Sequence, residues 1–412
     1  MRRDTLPVFA SSIALVLIAC TDSPPPSAPN RSARSARTST LSPNESPLDV
    51  PIAGLTDAEL DRFNRGRAVF ARVFNSANGL GPSFNSASCA NCHEEPSTGG
   101  FGDDLGEDVE THVSTFSGGT CEELALVGGA VIQHHTTDLL QAAYPGYMSE
   151  AIPPLAGTNV AHRTTPALFG FGLIDAVAAS TIMALADPND ANSDGVRGRA
   201  SIVNGQLARF GRKATDITLI GFNAGAFQNE MGIVSSVAPL EQLLVGVPFP
   251  FAASISPTSG PELSDEDLAL ATDFVRFLRP PPQLRGSPLA NDGRDLFGSI
   301  GCATCHVPTL RTGPSPVAAL SGVRVAAFTD LLLHDMGAGL ADICRGNTLP
   351  AEFRTEPLMG LRFRTHYLHD ARSTTLDDAI AQHGGEATRA RDRFAGLSQN
   401  QRSALMAYLN TL

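Results

Sequence analysis

Two pentapeptides of one pattern carry the most specific chemistry in this chain: Cys89-Ala90-Asn91-Cys92-His93 and Cys302-Ala303-Thr304-Cys305-His306. Thiols separated by two residues can form thioethers to the vinyl groups of a haem, and the histidine that follows reaches its iron from the same side. A bare C-x-x-C would also suit a redox dithiol or half of a zinc site, but structural zinc held by four cysteines does not require the two histidines. Cys89, Cys92, Cys302 and Cys305 are therefore expected to attach two c-type haems, with His93 and His306 as proximal iron ligands.

The opposite face of each iron decides function, because a second strong ligand makes an electron carrier and an open position makes a catalyst. For the second haem the candidate is His383, which follows Leu376, Ala379 and Ile380 at helical spacing on a helix begun near Thr374 or Thr375. The same spacing also suits a core histidine. For the first haem His112, His134, His135 and His162 lie in the right half of the chain, and His334 and Met336 could reach it from the other half. Asp175 and Glu230 are candidate acids. Asp190, Asn192 and Asp194, with Gly195 for the turn, match the first half of a calcium loop, although Ser201 stands where its bidentate glutamate belongs. A plain Asx-rich turn is the alternative.

These residues need elements to position them. Thr56 with Glu59 has capping-box spacing and precedes Leu60, Phe63, Val69, Phe70, Val73 and Phe74, which predicts a helix leading into the first motif. A second helix is predicted over 264–278, stopped by Pro280-Pro281-Pro282. Gly66-Arg67-Ala68-Val69-Phe70 before the first motif is echoed by Gly293-Arg294-Asp295-Leu296-Phe297 before the second. Arg163-Thr164-Thr165-Pro166 ending in Gly170 is echoed by Arg354-Thr355-Glu356-Pro357 ending in Gly360. Without sustained alternation to signal a large sheet, the expected fold is mainly α: two cytochrome c-like haem domains with long loops and an insertion in the first. The expected division is a signal peptide over 1–20, a tether over 21–50, an N-terminal haem domain over 51–280 and a C-terminal cytochrome domain over 281–412.

Composition sets the surroundings. With 42% hydrophobic and 17% charged residues the body is an ordinary globular chain. A formal charge of -12 argues against nucleic acid and suits a basic redox partner. Arg2 and Arg3 precede an apolar stretch, 6–18, too short to span a bilayer, and it ends in Leu17-Ile18-Ala19-Cys20. That ending resembles a bacterial lipobox, making Cys20 the lipidation site of an exported protein held to the membrane by its anchor alone; an ordinary signal peptide is the alternative. The next thirty residues hold six prolines and cannot bury a core. Of seven cysteines, Cys121 and Cys344 remain. Export permits a disulfide between them, and two buried thiols are the other possibility.

Phe353-Arg354-Thr355-Glu356-Pro357-Leu358-Met359-Gly360-Leu361, Tyr367-Leu368-His369-Asp370 and Thr375-Leu376-Asp377-Asp378-Ala379-Ile380 resemble the C-terminal signature of bacterial di-haem cytochrome c peroxidases. Thr329-Asp330-Leu331-Leu332-Leu333-His334-Asp335-Met336-Gly337 and Gly339-Leu340-Ala341-Asp342 resemble more closely their di-haem oxidoreductase branch, sometimes called thiol oxidoreductases. The resemblance runs from about Leu55 to the end. It implies a distal ligand fourteen residues after His369, which is His383; histidine there, in place of the usual methionine, implies a bis-histidine haem of lowered potential. It implies a catalytic first haem that reduces hydrogen peroxide with electrons from a small redox protein through the second haem. The chain departs from the pattern in having no tryptophan relay, in Ala371 for a glycine, and in Arg364 and His366 where inter-domain calcium is bound. An electron-transfer cytochrome with both irons capped, and a di-haem oxidase or oxygenase of an organic or protein substrate, are the alternative functions.

Overall fold

The computed structural model describes residues 48–412 except 103, 127, 246 and 248–259. The signal peptide, Cys20 and nearly all of the tether lie outside the described residues. No described helix is long and apolar enough to cross a membrane.

The helices that build the site are α1 (Asp57–Phe70), α2 (Leu219–Met231), α3 (Asp265–Phe277), α4 (Pro288–Ser299), α5 (Leu376–Ala381) and α6 (Gln399–Leu409). Helix α1 begins with the expected capping box: Glu59 donates its N–H to Thr56 Oγ1, and its carboxylate accepts the Thr56 N–H at 2.8 Å. It buries Phe63, Val69 and Phe70 against α3, which is capped by Ser264. The two backbones meet at Gly66, where a Cβ would stand 2.0 Å from the Leu270 carbonyl oxygen. Helices α4 and α6 repeat the device: a Cβ on Gly293 would stand 2.0 Å from the Ala404 carbonyl oxygen. The glycine of each Gly-Arg-x-x-Phe repeat is thus a helix-crossing point where only hydrogen fits.

The expectation of a mainly helical fold is wrong: 31% of the described residues are helical and 15% are in strands or bridges. Strand β1 (Val109–Ser117) is the centre of a four-stranded sheet. It pairs antiparallel with β2 (Thr120–Glu122), β3 (Val131–Ile132) and β4 (Thr158–Thr164), the last from Val109↔Thr164 to Thr115↔Thr158. Its middle residues Thr111, His112, Val113 and Ser114 are all buried, so both faces are covered and most of what it buries is polar. A strand of that kind has no apolar alternation to betray it. Strands β5 (Leu333–Asp335) and β6 (Glu352–Arg354) form a two-stranded ladder, too short for any periodicity.

Candidate functional site

A cavity of about 330 Å3 is lined by Cys302, Cys305, His306 and His383, with Phe297, Ile300, Leu358, Leu361 and Leu376 among its apolar walls. Nδ1 of His306 lies 3.0 Å from the Phe328 carbonyl oxygen, and Nδ1 of His383 lies 2.8 Å from that of Ala379. A carbonyl can only accept, so each Nδ1 carries the proton and each Nε2 keeps its lone pair. Burial holds both imidazoles neutral, lowering His383 and pulling His306 down to about 4. Neutral histidines oriented by a hydrogen bond from their other nitrogen are well suited to an iron. His383 stands just beyond the end of α5, whose N-cap is Thr375, and its N–H closes on the Ile380 carbonyl at 3.1 Å.

A second cavity, of about 190 Å3, is lined by Cys89, Cys92 and His93. His93 Nδ1 lies 3.1 Å from the Gly100 carbonyl oxygen, again leaving Nε2 as the ligand atom, and burial lowers its pKa. The cysteines of both motifs are free thiols, and burial pushes Cys89 and Cys302 up to about 12. Such sulfurs are poor thiolates and suit an uncharged thioether. The paired thiols, anchored imidazoles and apolar walls fit a haem in each cavity.

The two cavities differ in what else faces them. No second histidine anchored to a carbonyl lines the cavity of His93 among the described residues; instead Glu110 and His112 of β1 and Glu230 of α2 do. His112 Nε2 lies 2.8 Å from Glu110 Oε2. Burial raises Glu110, but the bond to His112 and the charges of Arg212 and Arg163 outweigh it and hold this carboxylate below its usual range. It therefore accepts, the proton sits on Nε2, and His112 Nδ1 is left as a buried lone pair with no partner. Burial and the charge of Arg163 pull His112 down to about 4. Glu230 goes the other way: burial, then the charge of Glu110, raises it well above the carboxylate range, although Asn85 donates to it at 2.9 Å.

Between the cavities runs a polar seam. Asp342 accepts from Arg163 at 2.9 and 2.7 Å and pairs with Lys213 at 2.8 Å, all three deeply buried. Burial raises Asp342, but Arg163 and Lys213 outweigh it and keep the carboxylate ionised. The Lys213 ammonium also sits 3.7 Å from the centre of the Phe353 ring, which stacks on His369 with centroids 4.6 Å apart. Thr164, in the wall of one cavity, donates its N–H at 2.9 Å to the carbonyl of His369, in the wall of the other.

Of the remaining candidates, His134 and His162 both bond Thr111, His135 pairs with Phe84, and none of the three lines either cavity. His334 and Met336 line the cavity of His306, because the β5–β6 ladder turns them there. Both His334 nitrogens are taken, by Asp330 at 2.8 Å and Glu386 at 2.7 Å, with Cys305 Sγ 3.7 Å from Nδ1; burial opposes the charge, but the bonds to Asp330, Cys305 and Glu386 push it up to about 12, leaving no lone pair for iron. Asp175 lines neither cavity. Asp190, Asn192 and Asp194 accept the backbone N–H groups of Gly195, Asp194 and Val196 at 3.0, 2.9 and 2.8 Å. Cys121 and Cys344 are joined by a disulfide that ties β2 to the segment after Asp342. Sequence reasoning did not single out Glu110, Arg212 or Lys213 at all. Arg163 and Asp342 were visible as members of the repeat and of the Gly-x-Ala-Asp stretch, without roles.

Residues 156–412 match a family model described as "Di-haem oxidoreductase, putative peroxidase". No curated protein matches the chain. Among solved structures, hydrazine synthase of Kuenenia stuttgartiensis is similar at 14% identity and TM-score 0.39, covering 90% of this chain and 95% of its own. A MauG-like protein associated with microbial copper homeostasis is similar at 14% identity and TM-score 0.38, with 90% and 94% covered. The di-haem peroxidase BthA of Burkholderia thailandensis is similar at 14% identity and TM-score 0.38, with 87% and 89% covered. The family model spans more than half of the chain and falls on the cavity of His306 and His383, and the chain belongs to the di-haem oxidoreductase family.

Proposed function

We propose that this oxidoreductase reduces hydrogen peroxide at the haem of Cys89, Cys92 and His93, using electrons that enter through the haem of Cys302, Cys305, His306 and His383. The observation that carries the reading is the asymmetry of the cavities: two carbonyl-anchored histidines line one, and one lines the other, beside an acid and a base. Both haems are read as covalently bound c-type groups.

Bound haem supplies the electrons that cleave the O–O bond, and the chain handles the protons: peroxide, two electrons and two protons give two waters. His112, whose Nδ1 lone pair has no partner, would accept a proton from the peroxide. Glu230, kept protonated by burial, gives a proton to the departing oxygen as water. Glu110 holds the imidazole in the tautomer that leaves Nδ1 free.

The protein is read as an exported lipoprotein, anchored through Cys20 and reaching from the membrane by its proline-rich tether to a small redox donor, for which its formal charge of -12 favours a basic surface. Mass spectrometry of the mature N-terminus tests the anchor. No step is assigned to calcium, because Asp190, Asn192 and Asp194 are engaged by their own loop; calorimetric titration with Ca2+ tests whether they also hold an ion.

A second reading, an electron carrier with both irons six-coordinate, is favoured by the same free Nδ1 of His112, which could serve as a ligand. Electron paramagnetic resonance of the holoprotein, oxidised and half-reduced, separates the two. A high-spin ferric signal that peroxide removes supports the peroxidase. Two low-spin signals unchanged by peroxide and half-reduction make it an electron carrier.

A further inference from the structure

Arg212 is the cation common to the two cavities, lining that of His93 and that of His306. Its guanidinium donates from Nη2 to the Thr164 carbonyl at 2.7 Å, and it forms no ion pair with a carboxylate among the described residues. Arg364, in the wall of the His306 cavity, likewise has no carboxylate partner among the described residues; it rests 4.7 Å from the centre of the Phe101 ring. Burial, and then the charge of Arg212, lowers its pKa to about 10, so the two guanidiniums feel each other. The neighbouring acids make their close contacts with other groups, Asp342 with Arg163 and Lys213, Glu356 with Arg354 at 2.9 Å and Glu110 with His112, while the charge of Glu356 acts on both guanidiniums and that of Glu110 on Arg212.

Two guanidiniums that line the cavities without a carboxylate in ion-pair contact among the described residues keep donors open to a further anion. A haem brings two propionate carboxylates, and the planar guanidinium fork matches a carboxylate with two parallel hydrogen bonds. We propose that Arg212 and Arg364 are propionate-binding residues, and that Arg212 serves both haems. The proposal rests on the two-haem reading above. It makes Arg212 a positioning residue whose single charge acts on two irons. In a low-dielectric interior a nearby cation favours the ferrous state, which carries one positive charge less, so Arg212 holds both midpoint potentials up.

Spectroelectrochemical titration of the purified holoprotein, each iron taking one electron from the electrode, reads this directly. In Arg212→Gln both midpoint potentials are expected to fall; in Arg364→Gln only that of the bis-histidine haem falls. A shift of one potential alone, or of neither, in Arg212→Gln overturns the proposal. Should that variant fail to accumulate, Arg212→Lys supplies a cation that titrates: both potentials must fall together as pH rises through the lysine pKa, and a fall in one alone overturns the proposal. If the wild-type protein itself shows fewer than two haem transitions, the two-haem reading fails instead.

Discussion

His112 donates Nε2–H to the Glu110 carboxylate across 2.8 Å, and this one bond decides what the other face of the imidazole can do. With its proton committed, Nδ1 is a buried acceptor without a partner, on a residue that lines the cavity. His112 has a folded pKa of about 4, so it is a base above that pH and is lost as one when pH falls through about 4. Peroxide turnover should show an acid limb there. His112→Ala should lower kcat/KM by about 10²–10⁴ and abolish that limb, as read by stopped-flow turnover across pH.

His383 and His306 offer their Nε2 atoms in one cavity. His383→Ala should convert one low-spin haem to high-spin, seen in the absorption and paramagnetic resonance spectra. His383→Met should keep it six-coordinate and raise its midpoint potential, because a thioether favours ferrous iron more than an imidazole does. A spectrum unaltered by either substitution would remove His383 from the iron.

Asp342 is the single carboxylate between Arg163 and Lys213. Asp342→Asn leaves two buried cations short of an anion and should cost about 3–5 kcal/mol in chemical unfolding of the holoprotein. The folded-state pKa of Asp342 is depressed, so its stabilisation is present above the unfolded value and fades as pH falls through the folded one. The gap between wild type and variant should therefore narrow in acid.

Gly293 and Gly298 share helix α4 but face different surroundings. A Cβ on Gly293 meets the Ala404 carbonyl oxygen at 2.0 Å, whereas one on Gly298 meets nothing within 4 Å. Gly293→Ala should cost about 1–3 kcal/mol by forcing α4 and α6 apart. Gly298→Ala should gain about 0.5 kcal/mol by restricting the unfolded chain and improving helix propensity. Thermal melts of the pair should move in opposite directions.

Local chemistry was legible in the residue order. The Cys-x-x-Cys-His motifs have their ligands adjacent in the chain, so a single turn brings them together whatever surrounds it. The Thr56–Glu59 capping box, the Ser264 cap and the Thr375 cap act across three residues and appear where their spacing places them. The repeated glycines were legible as a pattern, although their role as crossing points needed the partner helices. The central sheet was not legible, because β1 buries Thr111, His112 and Ser114 and gains its partners from residues up to 55 positions away, as in Val109↔Thr164. The environment of the first cavity was hidden for the same reason. His112, Glu230 and Arg212 come from a strand, a helix end and a loop with no common spacing, and their protonation depends on charges brought near only by folding. Short-range hydrogen bonding and covalent chemistry are written in neighbouring residues; burial and long-range charge, which set acid, base and cation roles here, exist only once distant segments share one interior.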